Sequence, residues 1–255
     1  MSVGSKQFVL EYVEETGSTN TDLLERVKTS GISVVTVRKA RKQTSGRGTR
    51  GRSWSGNSGC LMFSVAVPIG KNLQSINGVT LGIGTDIVLG LRKVGVPAEI
   101  KWPNDILLNE KKLAGILVEV AKAPDQTYVL VVGIGFNLRA QNISTTAYGH
   151  ASLSDVLSDD QLKDESYWLS FLSQSIIHCV RSFPDNGLKR VRKVWNTIAA
   201  YRNQTVHIFE ENQLNYDAYM LGINDKGALL VQTEDGVKTL LTGTVSIRKK
   251  NEFID

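Results

Sequence analysis

Hydrophobic residues recur along this 255-residue chain with two periods, about two and about 3.6 residues, so the sequence predicts strands mixed with helices. Three strands are predicted where β-branched residues are dense: FVLEYVEE (8–15), ISVVTVRKA (32–40) and CLMFSVAVP (60–68). Between the first two, GSTNTDLLERVK predicts a helix capped by Ser18 or Thr19. Apolar spacings of three and four across 72–94 predict one long core helix in spite of its glycines.

The second half of the chain changes character twice. EIKWPNDILL, LAGILVEV and YVLVVGIGFNL are three strand-like runs, and the polar NEKK turn separates the first two. Two amphipathic helices follow, around SYWLSFLSQSIIHCV and LKRVRKVWNTIAAY. After Tyr201, short strands broken by NDKG and TEDG turns predict a small all-β barrel. We therefore predict an α/β fold of the α+β type, with a mixed β-sheet domain packed with helices over 1–202 and a β-barrel over 203–255.

Composition is that of a globular protein, with 41% hydrophobic and 22% charged residues. No apolar stretch reaches the roughly 18 residues that a membrane span requires, and no secretory signal is recognisable, so we expect a cytoplasmic protein that does not bind membranes. Cys60 and Cys179 lie in apolar runs and are predicted to be buried, reduced thiols. His150, His178 and His207 lack metal-ligand spacing.

The net charge of +5 comes from one segment of the chain. Seven of the fifteen residues from Arg38 to Arg52 are basic and none is acidic, whereas the rest of the chain has 23 basic and 25 acidic residues. Charge concentrated in this way indicates a binding site rather than a basic surface. Its core is QTSGRGTRGRSW (43–54), where three glycines alternate with arginines on the way to Trp54.

This arginine-glycine segment allows several interpretations. GRGTRGRS is close to the G-x-x-x-x-G-K-[ST] phosphate loop, but Arg52 replaces the lysine and no helix is predicted to follow. The segment could instead follow a nucleic-acid backbone, with Trp54 stacking on a base, or be a solvated surface loop. A third hypothesis is a loop that folds over a small anionic ligand or nucleotide. Because like charges repel and glycines lose entropy on ordering, we expect this loop to order only around an anion.

Two further segments carry candidate groups. In KWPND, Pro103 interrupts a strand, so Asn104 and Asp105 are expected at a strand end, where they face a cleft or merely form a turn. In KKLAGILVE, Lys112 opens a strand, although a lysine there is often solvent-facing, and Gly115 indicates that something approaches the backbone closely. The sequence shows no Ser-His-Asp or Cys-His arrangement.

Taken in order, GSTN, QTSGRGTRGRSW, KWPNDILLNEKKLAGILVE and GIGFN resemble the biotin protein ligases, and the resemblance runs from about Gln7 to the C-terminus. NDKGALLV and TGTVSIR resemble the SH3-like C-terminal barrel of that family. The chain is similar to the catalysis-only members, which lack an N-terminal DNA-binding domain. The resemblance implies that ATP with Mg²⁺ activates biotin as biotinyl-5′-AMP, and that biotin is then transferred to a lysine of a biotin carrier domain, for example in a carboxylase.

The resemblance also implies roles for individual residues. It places biotin-binding groups at Ser18, Thr19, Asn20, Gln43, Gly46, Gly48, Thr49 and Gly115. It places ATP-binding groups at Trp54, Arg50, Arg52, Asn104, Asp105 and Asn137. Lys112 and Arg47 are implied as the catalytic groups that stabilise carboxylate and phosphate charge, and Asp105 orients Lys112 or helps to hold Mg²⁺.

Two positions depart from the family pattern. Thr49 stands where many members carry arginine, and Thr244 where relatives often have glutamate. The missing guanidinium at Thr49 predicts adequate adenylation but weaker retention of the adenylate.

Rival functions remain open at the level of sequence. One is a lipoate or octanoate ligase on the same type of fold, although the polar GSTN and Gln43 favour the ureido ring of biotin. Others are an RNA- or DNA-binding module and a protein that binds biotin without transferring it. We expect biotin, ATP and a carrier domain as partners, no DNA, and a monomer or homodimer.

Overall fold

The computed structural model describes residues 8–56, 59–139, 149–210, 213–241 and 245–250. Gln7 and Thr244 therefore lie outside the described residues. Within the described residues, no helix combines the length and the apolar composition needed to cross a bilayer.

A seven-stranded mixed sheet is the framework of the larger part of the chain. Its strands are β1 (Val9–Thr16), β2 (Thr36–Gln43), β3 (Cys60–Gly70), β4 (Ala98–Lys101), β5 (Asp105–Leu108), β6 (Lys111–Lys122) and β7 (Tyr128–Asn137). They lie in the order β1-β2-β3-β7-β6-β5-β4. β1 and β2 run parallel, and the other neighbours are antiparallel. The predicted mixed sheet packed with helices is confirmed.

Helices cover the two faces of this sheet unequally. On one face α1 (Thr19–Ser30) packs Leu23, Leu24 and Val27 against the half of the sheet that includes Val131. α2 (Val79–Lys93) and α3 (Glu165–Ile198) pack on the opposite face and complete the main hydrophobic core. Because α1 covers only half of its face, the other half remains available to form a cavity.

Glycines decide where the predicted helices break. The long helix predicted over 72–94 is wrong at one point, because a short 3₁₀ turn, Leu73–Ile76, is separated from α2 by Gly78. Gly78 has φ of 82°, in the left-handed region that favours glycine, and a Cβ there would lie 2.7 Å from Leu188. α3 is likewise two helical segments joined at Gly187, whose φ is 38°, as the two amphipathic patterns predict.

The C-terminal strands form a second, antiparallel sheet of SH3-like type. They are β8 (Thr205–Glu210), β9 (Gln213–Ile223), β10 (Leu229–Thr233), β11 (Gly236–Leu240) and β12 (Val245–Lys249), in the order β11-β10-β9-β8-β12. The buried indole N–H of Trp102 donates to the carbonyl of Gly227 at 3.1 Å, which ties this sheet to the turn after β4. The division at 202/203 stays a prediction.

Candidate active site

A cavity of about 580 Å³ occupies the half of the sheet face that α1 leaves uncovered. Its walls are β3, β6 and β7, the N-terminus of α1, the 46–55 loop, the turn between β4 and β5, and β12. The structure brings nearly all the predicted site residues to these walls: Ser18, Thr19, Asn20, Gln43, Arg47, Thr49, Arg50, Arg52, Trp54, Asn104, Asp105, Lys112, Gly115 and Asn137. Gly46 and Gly48 lie in the loop without lining the cavity.

Short polar side chains line one end of the cavity. The backbone N–H and the hydroxyl of Thr19 both donate to Gln43 Oε1, at 2.7 and 3.0 Å. Ser64 Oγ lies 2.7 Å from the Thr19 hydroxyl and donates to Asn20 Oδ1 at 2.5 Å. The hydroxyl groups of Thr19 and Ser64 have two protons for three contacts: with Gln43, with each other and with Asn20. The network can therefore reorient toward a ligand that brings donors and an acceptor. Ser18 adds a cap, because its Oγ accepts from Thr21 N at 3.5 Å.

Ser64 is a member of this polar network that the sequence did not reveal. It is fully buried in β3, inside the apolar run CLMFSVAVP. In the sequence, Ser64 differs from its neighbours as the one hydroxyl residue in an otherwise apolar run, and in the structure that run is a strand buried on both faces. Gly133, its partner across the sheet, is required as well, because a Cβ there would lie 2.5 Å from Asn20 Oδ1.

A buried carboxylate between two lysines lies at the base of the cavity. Lys112 Nζ lies 2.7 Å from Asp105 Oδ1, and Lys101 Nζ lies 3.5 Å from Asp105 Oδ2. Burial lowers the pKa of Lys101 to about 8, and the Asp105 carboxylate opposes that shift. The sequence predicted Asp105 and Lys112 at this site, whereas Lys101 was missed because its burial depends on the turn at Pro103.

Two asparagines hold the main chain near Lys101 and Lys112. Asn137 Nδ2 donates to the carbonyls of Lys112 and Ala151, at 3.2 and 3.0 Å, and fixes where Lys112 leaves β6. Asn137 Oδ1 is buried and accepts no hydrogen bond from the described residues. Asn104 donates through its side chain to the Ile116 carbonyl at 3.1 Å, which fastens the turn after β4 to β6.

The indole of Trp54 lies across a pair of glycines in the centre of the sheet. Gly115 of β6 and Gly135 of β7 are register partners. A Cβ on Gly135 would lie 2.0 Å from the indole, and one on Gly115 would lie 3.1 Å from it. The close approach predicted at Gly115 is confirmed, and Gly135 makes the same approach possible. Lys112 Nζ lies 5.3 Å from the centre of the indole ring, a cation–π contact.

The arginine-glycine segment is a hairpin closed at both ends. Gly48 N donates to Arg52 O at 2.7 Å, and Trp54 N donates to Gly46 O at 2.8 Å. Arg50, with φ of 61°, turns the loop and donates from its guanidinium to the carbonyl of Val245 in β12. The barrel therefore contacts the tip of the loop directly.

Arg47 is bound by a carboxylate that sequence reasoning missed. Its two terminal nitrogens donate to Glu119 Oε1 at 2.8 Å and Oε2 at 3.2 Å, a bidentate pair. Glu119 Oε2 also accepts from Asn20 Nδ2 at 2.9 Å. The loop was expected to order around an anion, and here the chain itself supplies that anion. The predicted action of Arg47 on carboxylate and phosphate charge stays a prediction.

No metal centre is formed by the described side chains, since no three acidic, histidine or cysteine groups among them converge. Asp105 is the one carboxylate among the described residues of the cavity wall. Both cysteines are free, and burial raises the pKa of the Cys60 and Cys179 thiols to about 12. Neither thiol is therefore suited to act as a nucleophile at neutral pH.

Sequence comparisons relate both parts of the chain to characterised enzymes. The profile of the Biotin/lipoate A/B protein ligase family matches residues 12–137, and that of the Biotin protein ligase C terminal domain matches residues 220–248. The bifunctional ligase/repressor BirA of Bacillus spizizenii is 27% identical over 96% of this chain and 75% of its own length. The biotin--[acetyl-CoA-carboxylase] ligase of Paracoccus denitrificans is 29% identical over 87% of this chain and 93% of its own.

Solved structures give the same relationship in three dimensions. The biotin protein ligase of Aquifex aeolicus in complex with biotin and ATP superposes with a TM-score of 0.78 at 27% identity, covering 95% of this chain and 99% of that one. The apo structure of the same enzyme gives a TM-score of 0.75 at 25% identity, with the same coverage. The similarity therefore spans the large sheet and the barrel together.

Proposed function

Because the chain belongs to the biotin/lipoate A/B protein ligase family, and within it to the biotin protein ligases, we propose that it activates biotin with ATP and attaches it to a lysine of a biotin carrier domain. The observation that carries the proposal is how neutral polar and charged groups are distributed along one cavity. A network of neutral polar groups lines one end, and the buried Lys112–Asp105 pair lies at the base. A ligand that is neutral at one end and anionic at the other matches both.

The neutral end of the cavity favours biotin over lipoate. The ureido ring presents two N–H donors and one carbonyl acceptor, which Thr19, Asn20, Gln43 and Ser64 can match. A dithiolane ring offers no such groups and would leave this buried network facing sulfur and carbon, which is unfavourable. The family includes ligases for both acids, so the polar residues decide between them.

The first step needs charge stabilisation more than proton transfer. A biotin carboxylate oxygen attacks the α-phosphorus of ATP, the bond between the α-phosphorus and the bridging oxygen breaks, and diphosphate leaves with the electron pair. Lys112, held 2.7 Å from Asp105, presents a fixed ammonium group to the carboxylate and phosphate oxygens as charge builds. Asp105 orients that ammonium group through the ion pair.

The second step requires no nucleophile from this protein. The ε-amine of the carrier lysine attacks the carbonyl carbon of the mixed anhydride, the carbon–oxygen bond to AMP breaks, and the amine loses a proton as the amide forms. Because the acceptor brings its own nucleophile, the absence of an activated thiol among the described residues is consistent with the chemistry.

Mg²⁺ belongs to the proposal as a companion of ATP. It binds proteins through one or two carboxylates together with substrate phosphates, and Asp105 is available as one such carboxylate. Asp105 already pairs with two ammonium groups, so the phosphates would provide most of the ligands. We further propose a cytoplasmic monomer or homodimer that does not bind DNA.

Transfer of labelled biotin tests the proposed function. The full chain, a purified biotin carrier domain, ATP and Mg²⁺ should give one label per carrier, and omission of ATP should abolish it. Calorimetry should detect biotin binding and much weaker lipoate binding. A nucleic-acid-binding module would leave the carrier unlabelled. Its affinity for nucleic acid would fall steeply with salt and would not depend on biotin.

A further inference from the structure

The loop over the cavity, which we call the lid (residues 46–54), is fastened to the sheet by an ion pair between Arg47 and Glu119. Both terminal nitrogens of Arg47 bind the two oxygens of Glu119. We propose that Glu119 is a positioning residue that latches the lid through Arg47 and thereby slows escape of the adenylate. This inference rests on the proposed function, because the adenylate is its intermediate.

Glu119 is well placed for a latch because it belongs to a central strand. It faces the same side of β6 as Gly115 and Leu117, and its backbone pairs with Val131 of β7. The side chain of Glu119 is 24% exposed and that of Arg47 45% exposed. The pair therefore lies at the rim of the cavity, where a moving loop meets a fixed strand. A planar guanidinium on a carboxylate gives such a contact direction as well as strength.

Glu119 also connects the lid to the neutral end of the cavity. Asn20 Nδ2 donates to Glu119 Oε2, while Asn20 Oδ1 accepts from Ser64. A head group that binds Ser64 or Asn20 reorients the Asn20 amide, which shares the Glu119 carboxylate with Arg47. Occupancy of the neutral end and closure of the lid are thus linked through three side chains in contact.

We expect the latch to offset part of the charge that is missing at Thr49. Thr49 lacks the guanidinium that many family members carry at this position, and its carbonyl and hydroxyl instead accept from Arg52 at 3.3 and 3.2 Å. Lys112 at the cavity base remains available to neutralise ligand charge while Arg47 is occupied by Glu119. We infer that Arg47 acts through Glu119 rather than on the ligand.

A double-mutant cycle tests this assignment. The variants are Glu119→Gln, Arg47→Gln and the double variant, with Arg41→Gln as control, because Arg41 forms an exposed pair with Glu14 outside the lid, through its Nε. Labelled biotinyl-adenylate is preformed on the enzyme, and its release is followed without carrier. Each single variant should release it about tenfold faster, the factor corresponding to a loss of about 1.4 kcal/mol. The double variant should be no faster than either single one, because all three lose the same contact.

A second readout follows the lid without any chemistry. Trypsin cleavage after Arg50 and Arg52 in the free protein should accelerate in Glu119→Gln and remain unchanged in Arg41→Gln. The charge-reversed double variant, Arg47→Glu with Glu119→Arg, should restore part of the protection. Thermal unfolding of each variant shows that the fold is intact.

The outcomes separate the latch from the proposed function. Unchanged release and unchanged cleavage in Glu119→Gln would overturn the latch. A far greater loss of adenylate formation in Arg47→Gln than in Glu119→Gln would overturn it too, and would show Arg47 acting on the ligand itself. If the wild type formed no adenylate, the proposed function would fail, while the trypsin comparison would still test the Arg47–Glu119 contact.

Discussion

The carboxylate of Asp105 forms ion pairs with two ammonium groups. Nζ of Lys112 lies 2.7 Å from Asp105 Oδ1, and Nζ of Lys101 lies 3.5 Å from Asp105 Oδ2. All three side chains are largely buried, with 5–13% of each exposed. The cluster thus brings two basic side chains and one acidic side chain to the base of the cavity. Because its geometry is fixed by strands and turns, no reorganisation is needed when negative charge develops nearby.

Replacement of Lys112 by methionine should lower the rate of adenylate formation by about 10²–10³, as for loss of one preorganised donor. Diphosphate release measures this rate, and biotin affinity should change far less, because the neutral end of the cavity remains. Lys111→Met is the control, since Lys111 is the neighbouring but exposed lysine. Adenylation within threefold of the wild type in Lys112→Met would contradict the role given to this lysine.

Replacement of Gly135 by alanine should displace the indole of Trp54, because the new Cβ would lie 2.0 Å from the ring. We expect weaker ATP and biotin binding, measured by calorimetry, together with a change in tryptophan fluorescence. Gly84→Ala is the matched control, since a Cβ there meets Ile100 at 3.4 Å, an ordinary contact. Equal ligand affinities in the two variants would show that the position of Trp54 does not matter.

Replacement of Thr49 by arginine should slow release of the biotinyl-adenylate, because it adds a guanidinium that can bind phosphate oxygens. Adenylate formation should change little. Release of labelled intermediate, measured without carrier, is the direct test. An unchanged or faster release would mean that the contacts of Thr49 with Arg52 matter more than the missing charge.

The buried Lys101 should make stability depend on pH in the alkaline range. Its pKa is lowered to about 8 by burial, whereas an unfolded lysine keeps its proton to about pH 10.4. Between these values the unfolded chain binds more protons, so this residue makes the free energy of unfolding rise with pH. Urea unfolding from pH 7 to 10 should show the rise in the wild type relative to Lys101→Met. If the free energy of unfolding depended on pH in the same way in the wild type and in Lys101→Met, this prediction would be refuted.

Local patterns in the sequence predicted the parts of the site that depend on neighbouring residues. The cap at Ser18, Asp105 at a strand end and the close approach at Gly115 each follow from a short stretch of chain, and the structure shows all three. The break at Gly78 was missed, because the apolar spacing continues through it and the left-handed turn does not change that spacing.

Contacts between distant segments could not be predicted in this way. Ser64 meets Asn20 across 44 residues, and Arg47 meets Glu119 across 72 residues. An isolated serine in an apolar strand and a glutamate in another have no local signature for these partners. The contact of Arg50 with β12 depends in the same way on where the barrel docks.

The sequence by itself determined the family, the mixed sheet with its barrel, and many of the residues that line the cavity, because periodicity, turn residues and motif order are local properties of the chain. The tertiary structure alone decided two further charge contacts: Lys101 on Asp105, and Arg47 on Glu119. The physical reason is that ion pairing and burial depend on distances across the sheet. Strand register and packing set these distances, and no single stretch of sequence encodes them.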